Sequence, residues 1–182
     1  MKRTLLITLV ALSSCFVAEA QLRTIKPSNI FKVPNISHAT YESGEYDNED
    51  NPLYWDLHIG IFSCTGGSVV ASSYLSSQGS SSYRASNIND CNHETAWVEG
   101  VKGYGIGEWI EFHDIYVDGT LTVISILNGY VKNDKAWSEN SRIKSLKVYC
   151  NGRPICILKL QDSRSLQNFP VQDLIGDYHH IN

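Results

Sequence analysis

The sequence predicts an all-β fold, a β-sandwich or jelly roll. From Leu53 onward, apolar and polar residues alternate with period 2 in several short runs, as in strands with one buried face. Turns rich in Gly, Asn and Asp separate these runs, and no segment carries a helical apolar stripe over three turns. Many short strands joined by such turns are typical of sandwiches and jelly rolls.

The N-terminal segment has the order of a secretory signal peptide. The 182-residue chain begins with basic MKR, continues with the apolar run TLLITLVAL and reaches the small-x-small motif AEA before Gln21. We therefore predict that residues 1–20 are a cleaved signal peptide and that the protein is secreted or periplasmic. The alternative is a lipoprotein box, LSSC at residues 12–15, in which a lipidated Cys15 would anchor the protein at the bacterial cell surface.

The remainder is predicted to be a leader followed by one domain. Residues 21–52 are assigned to a leader or linker, because GEYDNEDN within them is acidic and has no apolar period. Residues 53–182 are assigned to the domain, which is long enough for a full core. No segment after the signal peptide approaches the roughly 20 apolar residues of a membrane helix, so no membrane span is predicted. The net charge of -4 argues against nucleic-acid binding.

The strands are predicted in four runs, read in chain order as EWIEFHDIYV, GTLTVISILNGY, RIKSLKVYC and CILKLQD. In the first, Ile110 and Phe112 alternate with polar or larger neighbours, so one face is expected to be buried. Ahead of these runs, the Ser-rich stretch 72–86 is interrupted by tyrosine and leucine, which favours an ordered surface loop over a linker. GYGIG at residues 103–107 is predicted to be a flexible surface turn.

Four cysteines follow the signal peptide: Cys64, Cys91, Cys150 and Cys156. An even count in an exported chain suggests two disulfides, from three possible connectivities. SLKVYCNGRPICILKL predicts a hairpin that turns at its NG dipeptide. The register that places Val148 opposite Leu158 also places Cys150 opposite Cys156, so we predict a bridge there, and Cys64–Cys91 follows by elimination. The alternative is that some of these cysteines are buried free thiols.

The stretch NDCNHETAWVEG, residues 89–100, contains metal-loop residue types without a standard metal-loop spacing. HETAW lacks the second His of a zinc-protease helix, because position 97 is Trp. The EF-hand also fails, because its sixth and twelfth places are Thr95 and Val101. A less regular calcium loop built on Asp90, Asn92 and Thr95 and an Asx-type turn that closes on its own hydrogen bonds are both compatible with the spacing.

No residue pattern predicts catalysis. The serines lie in no GxSxG setting, and the histidines show no metal-ligand spacing apart from the terminal pair. Carboxylates are numerous, so their number alone does not exclude a catalytic pair of the kind that glycosidases use. We predict that the chain is not an enzyme.

Several sequence blocks occur in an order that resembles a known family. These are VVASSYL, SYRASNINDCNHETAWVEG, GIGEWIEF, a strand ending in NGY, and AWSENSRIKSLKVYCNGRPI. They resemble the discoidin-like jelly-roll domains, which are related to coagulation factor C domains and bacterial carbohydrate-binding modules. The chain is more similar to the NADase-type glycan-binding domain, also called the translocation domain of streptococcal NAD glycohydrolase. The resemblance covers residues 66–170.

The resemblance implies a galactose-binding-like β-sandwich that binds cell-surface or cell-wall glycans without catalysis. It also implies a structural calcium ion, with a carboxylate from Asp90, a carbonyl from Asn92 and a hydroxyl plus carbonyl from Thr95. Trp97 would be a core residue beneath this loop. Two departures are Cys91, where the family usually has Gly, and the end of the chain before the family's next strand. A discoidin-like fold lacking its last strand, or a fragment, is therefore expected.

Six residues are candidates for glycan contact at the loop end of the sandwich: Glu99, Tyr104, Tyr130, Trp137, Asn140 and Arg142. Sugar sites need flat rings for stacking and fork-like polar groups for hydroxyls. The competing interpretation of each ring is core or rim packing, and that of the arginine is a surface ion pair. At the level of function, the alternatives are a protein–protein adhesion module on the same fold and a secreted enzyme that cleaves glycosides or NAD.

Overall fold

The fold is described from a computed structural model, which covers residues 4–9, 22–32, 68–90, 92–113 and 121–175. Its strands are β1 (Thr4–Leu9), β2 (Arg23–Ile25), β3 (Asn29–Lys32), β4 (Ser68–Ala71), β5 (Trp109–His113), β6 (Val123–Leu127), β7 (Ser145–Cys150), β8 (Arg153–Lys159) and β9 (Ser165–Pro170). Its helices are α1 (Asp134–Glu139) and α2 (Gln172–Ile175), with a 3₁₀ turn at Ala85–Ile88.

The strands form two sheets. The larger sheet has the order β2-β8-β7-β1-β5-β4 and is antiparallel except for the β2–β8 pair. The smaller sheet is antiparallel throughout, with the order β3-β9-β6. The predicted all-β class is confirmed, because short helices contribute little beside these sheets.

One hydrophobic core is shared by both sheets. Phe112, Val148 and Leu158 of the larger sheet belong to the same buried cluster as Ile124 and Phe169 of the smaller one. Along β5 burial alternates residue by residue, as the period-2 pattern predicts for a strand with one face on the core. The two layers therefore bury their apolar faces against each other, which is a sandwich arrangement.

Strand β1 lies within the segment predicted as the signal peptide. It pairs antiparallel with β5 on one side and with β7 on the other, so it occupies an interior position of the larger sheet. The expectation that residues 1–20 lie outside the fold differs from this placement. The physical reason is that TLLITL is rich in the apolar and β-branched residues that favour strands. Cleavage after Ala20 remains a prediction.

Two short strands lie in the segment predicted as a leader. β2 pairs parallel with β8, and β3 pairs antiparallel with β9. The burial of Ile25 beside the core provides the apolar contact for β2. The acidic stretch 44–51, on which the leader prediction was based, lies outside the described residues.

The register of the β7–β8 hairpin corrects the predicted disulfide between Cys150 and Cys156. Val148 pairs with Cys156, and Cys150 pairs with Arg153. Because the chain turns through only Asn151 and Gly152, both at positive φ, the two cysteines are not opposite each other. Cys156 is instead a buried free thiol, which was the stated alternative.

Burial has a chemical consequence for this thiol. It raises the pKa of Cys156 to about 11, against a smaller lowering by the nearby charge of Arg23. The predicted partners Cys64 and Cys91, and the alternative lipidation site Cys15, lie outside the described residues.

The surface loops agree with the sequence predictions. The Ser-rich stretch is ordered by an isolated bridge between Gln78 and Ser81 and by the side-chain amide of Asn87, which donates to Ser82 O at 2.7 Å. The segment at residues 103–107 is a surface turn. No helix in the described part of the chain has the length and hydropathy that a membrane span requires.

Candidate functional site

Trp97 and Ser73 join the loop after β4 to the loop before β5. The Trp97 indole Nε1 donates to Ser73 O at 2.9 Å, while its ring packs against the hydrophobic core. The Gly100 backbone N–H donates to Ser73 Oγ at 2.9 Å. Gly100 also lies close to Tyr74, the residue after Ser73: a Cβ added to Gly100 would be 2.5 Å from Tyr74 O. Trp97, predicted to be a core residue beneath its loop, is half-buried and packs against the core from outside the buried cluster.

Glu108 is held at this junction by the two serines that follow β4. The hydroxyls of Ser72, at 2.6 Å, and Ser73 both donate to Glu108 Oε2. The Ser72 hydroxyl oxygen in turn accepts from the Trp109 backbone N–H at 3.0 Å. Among the described residues, no hydrogen bond involves Glu108 Oε1, so one oxygen of this carboxylate keeps its acceptor capacity.

Glu99 lies beneath the glycine-rich turn. Its Oε2 accepts from the Val101 backbone N–H at 3.2 Å. Gly105, at φ +59°, packs so closely that an added Cβ would be 2.8 Å from Glu99 Cγ. Burial raises the pKa of Glu99, and the charge of Glu108 raises it further, while the hydrogen bond from Val101 opposes both. The two carboxylates are therefore electrostatic neighbours.

Tyr104 stands at the tip of the same turn. Its side chain is 88% exposed, between glycines at positive φ that let the chain fold back on itself. Tyr74, 56% exposed, lies where the loop after β4 meets Gly100. We call the set Tyr74, Glu99, Tyr104 and Glu108 the Tyr104 surface. It combines two exposed rings with two hydrogen-bonding carboxylates.

The structure places three of the other four glycan candidates, Trp137, Asn140 and Arg142, in a separate group at α1 and just after it. Arg142 is engaged within the chain: its Nη1 donates to Trp137 O at 2.9 Å and to Asn140 O at 2.5 Å, and its Nε donates to Asp162 Oδ1 at 2.9 Å. This side-chain hydrogen bond lowers the pKa of Asp162. The guanidinium also lies 4.8 Å from the centre of the Trp137 ring, and Asn140 Nδ2 donates to Ala136 O at 2.8 Å. These contacts match the packing and ion-pair alternatives named for the residues.

Tyr130 connects the two groups. Its ring meets the edge of the Tyr83 ring with centroids 6.2 Å apart. Tyr83 O accepts from the Val98 backbone N–H at 3.4 Å, one residue before Glu99. The six candidates thus belong to neighbouring loops, but only Glu99 and Tyr104 lie on the Tyr104 surface.

Asp90, Asn92 and Thr95 come together as predicted. The Thr95 hydroxyl lies 2.7 Å from Asp90 Oδ2, 2.8 Å from Asn92 O and 3.4 Å from Asn87 O. The backbone N–H groups of Asn92 and Glu94 donate to the side chains of Asp90 and Asn92, so the loop closes as consecutive Asx turns.

This loop has the oxygen ligands that a hard-cation site needs. One hydroxyl hydrogen cannot serve three acceptors, so oxygen acceptors exceed donors around Thr95. Carboxylate, carbonyl and hydroxyl oxygens are the ligands that calcium takes. The residues present fit the implied ion, although no group of three or more His, Cys, Asp or Glu side chains forms a metal cluster in the described ranges.

Sequence reasoning missed Tyr74 and Glu108 as site residues. Both stand in blocks already noted, ASSYL and GEWIEF, but these blocks are brought together by the bond from Ser72 to Glu108, across 36 positions of sequence. The signal available in the sequence was the serine pair Ser72 and Ser73, because two adjacent hydroxyls after a strand can hold a carboxylate such as Glu108.

Comparison with known proteins identifies one family. Residues 62–181 match the family model described as the NAD glycohydrolase translocation F5/8 type C domain. No significant match was found among curated proteins or solved structures. The match covers more than half of the chain, and it includes the Tyr104 surface and the loop around Thr95.

Proposed function

Because the chain belongs to the family of NAD glycohydrolase translocation F5/8 type C domains, whose fold is a discoidin-like sandwich, we propose that it is an exported, non-catalytic module that binds cell-surface or cell-wall glycans. The proposed contact site is the Tyr104 surface. The family is that of a translocation domain and not of a catalytic one, which supports the absence of an enzymatic role.

The observation that carries the proposal is the exposure of Tyr104 in a turn whose Gly105 packs against Glu99 and accepts from the Glu108 backbone N–H. A ring that is 88% exposed at a loop tip buries little apolar area within the chain, so its contribution to folding is small. The face of such a ring can stack on the C–H face of a sugar. Glu99 and Glu108 supply acceptors for sugar hydroxyls beside it. Stacking and directed hydrogen bonds are the two interactions that sugar recognition requires.

The group around Trp137 and Arg142 is better suited to shaping the site than to touching the ligand. The Arg142 guanidinium donates to two carbonyls and a carboxylate, so little donor capacity is left for sugar hydroxyls. It covers one face of the Trp137 ring, which removes that face from stacking. We therefore assign to this group the support of the loop that follows β6.

A calcium ion, on this proposal, is held by Asp90, Asn92 and Thr95. The ion would supply positive charge to oxygens that exceed their hydrogen-bond donors, and it would tie the loop before Trp97 into one shape. The role is structural, because the loop leads into the segment that carries Glu99.

A glycan array with the exported protein tests the proposal. Binding to a subset of glycans is expected, and Tyr104→Ala should weaken it by about tenfold, through the loss of one stacking interaction of about 1 kcal/mol or more. Ile106→Ala is the matched control, since Ile106 is 58% exposed in the same turn but has no ring. If no glycan binds at millimolar concentration, the proposal is refuted. Turnover of NAD or of a chromogenic glycoside would instead support the enzyme alternative.

A further inference from the structure

We propose that removal of residues 1–20 opens a strand-binding site between β5 and β7, and that this site takes an extended segment of another polypeptide with apolar residues at alternate positions. The inference rests on the predicted cleavage after Ala20. It concerns a protein partner, so it is independent of the proposed glycan site. Its basis is the place of β1, which lies in the segment predicted to be cleaved and yet inside the larger sheet.

Strand β1 forms a ladder on each of its sides. Residues 4–8 pair with β5 and residues 5–9 pair with β7, antiparallel in both cases. On their far sides, β5 pairs with β4 and β7 pairs with β8, so both walls of the position are held by strands other than β1. Because neighbouring strands lie about 4.8 Å apart, β5 and β7 without β1 would be separated by roughly 9–10 Å, which is room for one strand.

The described residues beyond position 20 offer no strand to fill this gap. Each of their eight strands already has a place in one of the two sheets. The backbone N–H and C=O groups that β5 and β7 direct toward β1 would therefore lose their partners, which is costly in an interior position. An incoming strand would satisfy two such rows at once, whereas a strand added to an ordinary sheet edge satisfies one.

The register specifies what the incoming strand must carry. Positions 5, 7 and 9 of β1 stand opposite buried members of the hydrophobic core, which are Phe112, Ile110, Val148 and Leu146. Residues directly opposite each other share one face of a sheet, so apolar residues are required at these three positions. Positions 6 and 8 stand opposite half-buried residues, Glu111 and Trp109 on β5, where polar residues are tolerated.

The occupant is a different polypeptide and not a second copy of this chain. A second copy that has been processed in the same way has also lost β1. Its described strands are paired in the same two sheets, so none of them can be donated without unfolding the donor. The ligand is therefore an extended segment of another protein, with apolar and polar residues in alternation over about five positions.

The test uses the exported protein, with its N-terminus established by sequencing, and a synthetic peptide of residues 3–10, RTLLITLV, which copies β1. Hydrogen exchange followed by mass spectrometry should show amides of β5 and β7 exchanging at least about tenfold more slowly with the peptide than without it. Strand β9 of the smaller sheet is the internal control, because it pairs with β3 and β6 and not with β1. Its exchange should change by less than about twofold.

Two peptide variants form a matched pair. Ile7→Lys places a charge opposite the buried residues Ile110 and Val148 and should weaken binding at least about a hundredfold in fluorescence anisotropy. Leu6→Lys adds the same charge one position earlier, opposite Glu111, which is only half-buried. It should change the affinity by less than about fivefold.

Each other outcome decides against the inference. If the exported protein retains residues 1–20, or if β5 and β7 exchange as slowly without the peptide as with it, the chain fills the position itself and no partner strand is needed. Equal binding of the two lysine peptides would exclude a site with the register of β1. If the exported protein is unfolded by itself, the parent peptide must restore its circular dichroism spectrum, and failure to do so would overturn the inference. The glycan array is a separate measurement and tests only the proposed function.

Discussion

Asn128 provides a sharp test of how the loop after β6 is supported. This side chain is 2% exposed and joins three backbone groups: its Nδ2 donates to Ile143 O at 2.9 Å and to Gln161 O at 3.3 Å, and its Oδ1 accepts from the Ile143 N–H at 2.9 Å. Asn128→Ala removes all three bonds. Gln161 O keeps a donor in Gln167 Nε2, at 3.0 Å, so the groups left without these bonds are the N–H and the carbonyl of Ile143.

The expected cost follows from this count. Three lost hydrogen bonds at about 1 kcal/mol each lower the free energy of unfolding by about 3 kcal/mol, and the two backbone groups left unsatisfied can only increase this cost, so about 3 kcal/mol is the least that we expect. For a domain of this size, that corresponds to a drop in melting temperature of roughly 6–12 °C. Urea unfolding followed by tryptophan fluorescence measures the free energy directly.

Asn140→Ala is the matched control for this prediction. It removes a single bond, from Asn140 Nδ2 to Ala136 O, at the half-buried end of α1. We expect it to cost about 0.5–1 kcal/mol. If the two variants have the same stability, or if Asn128→Ala unfolds at the same urea concentration as the parent protein, the reasoning from buried hydrogen bonds is wrong.

Four further outcomes can be checked. Because burial raises the pKa of Cys156 to about 11, its alkylation at about pH 8 should be at least about a hundredfold slower in the folded protein than in urea; a peptide cross-linked to Cys150 in the mass spectrum would contradict this. Gly100→Ala should cost about 1–3 kcal/mol, because its Cβ would meet Tyr74 O at 2.5 Å, and an unchanged melting temperature would refute the close contact. Calcium should raise the melting temperature relative to chelator, and Thr95→Ala should abolish the rise; a parent protein whose melting temperature does not change with calcium would refute the proposed ion. N-terminal sequencing of exported protein should begin at Gln21, whereas an intact N-terminus or a lipidated cysteine would exclude this cleavage.

The last outcome bears on the larger sheet. Cleavage before Gln21 would remove β1 from between β5 and β7, leaving the facing backbone groups of two interior strands without partners. The family match begins at residue 62, so it does not include β1. A comparison of hydrogen exchange in the full chain and in residues 21–182 would show how strongly β5 and β7 depend on that strand.

The strands were predictable because burial of one face is a local property of the sequence. In β5, Ile110 and Phe112 alternate with half-buried neighbours, as the pattern EWIEFH required. The hairpin register was not predicted correctly, although its signal was present. The NG dipeptide favours a two-residue turn, and that geometry places Cys150 opposite Arg153, with a bulge at Val148 and Tyr149. The prediction was wrong because it set the register by matching apolar residues on the two strands, whereas the turn determines the register.

Sequence alone therefore determined the all-β class, the family resemblance, and the clustering of Asp90, Asn92 and Thr95, because each depends on periodicity or on residues close along the chain. Only the tertiary structure decided that Glu99 and Tyr104 share a surface with Glu108, and that Arg142 is bound to Asp162 and to backbone carbonyls. Those facts depend on contacts between distant segments. A side chain's remaining capacity to bind a ligand is known only after its partners within the fold are known.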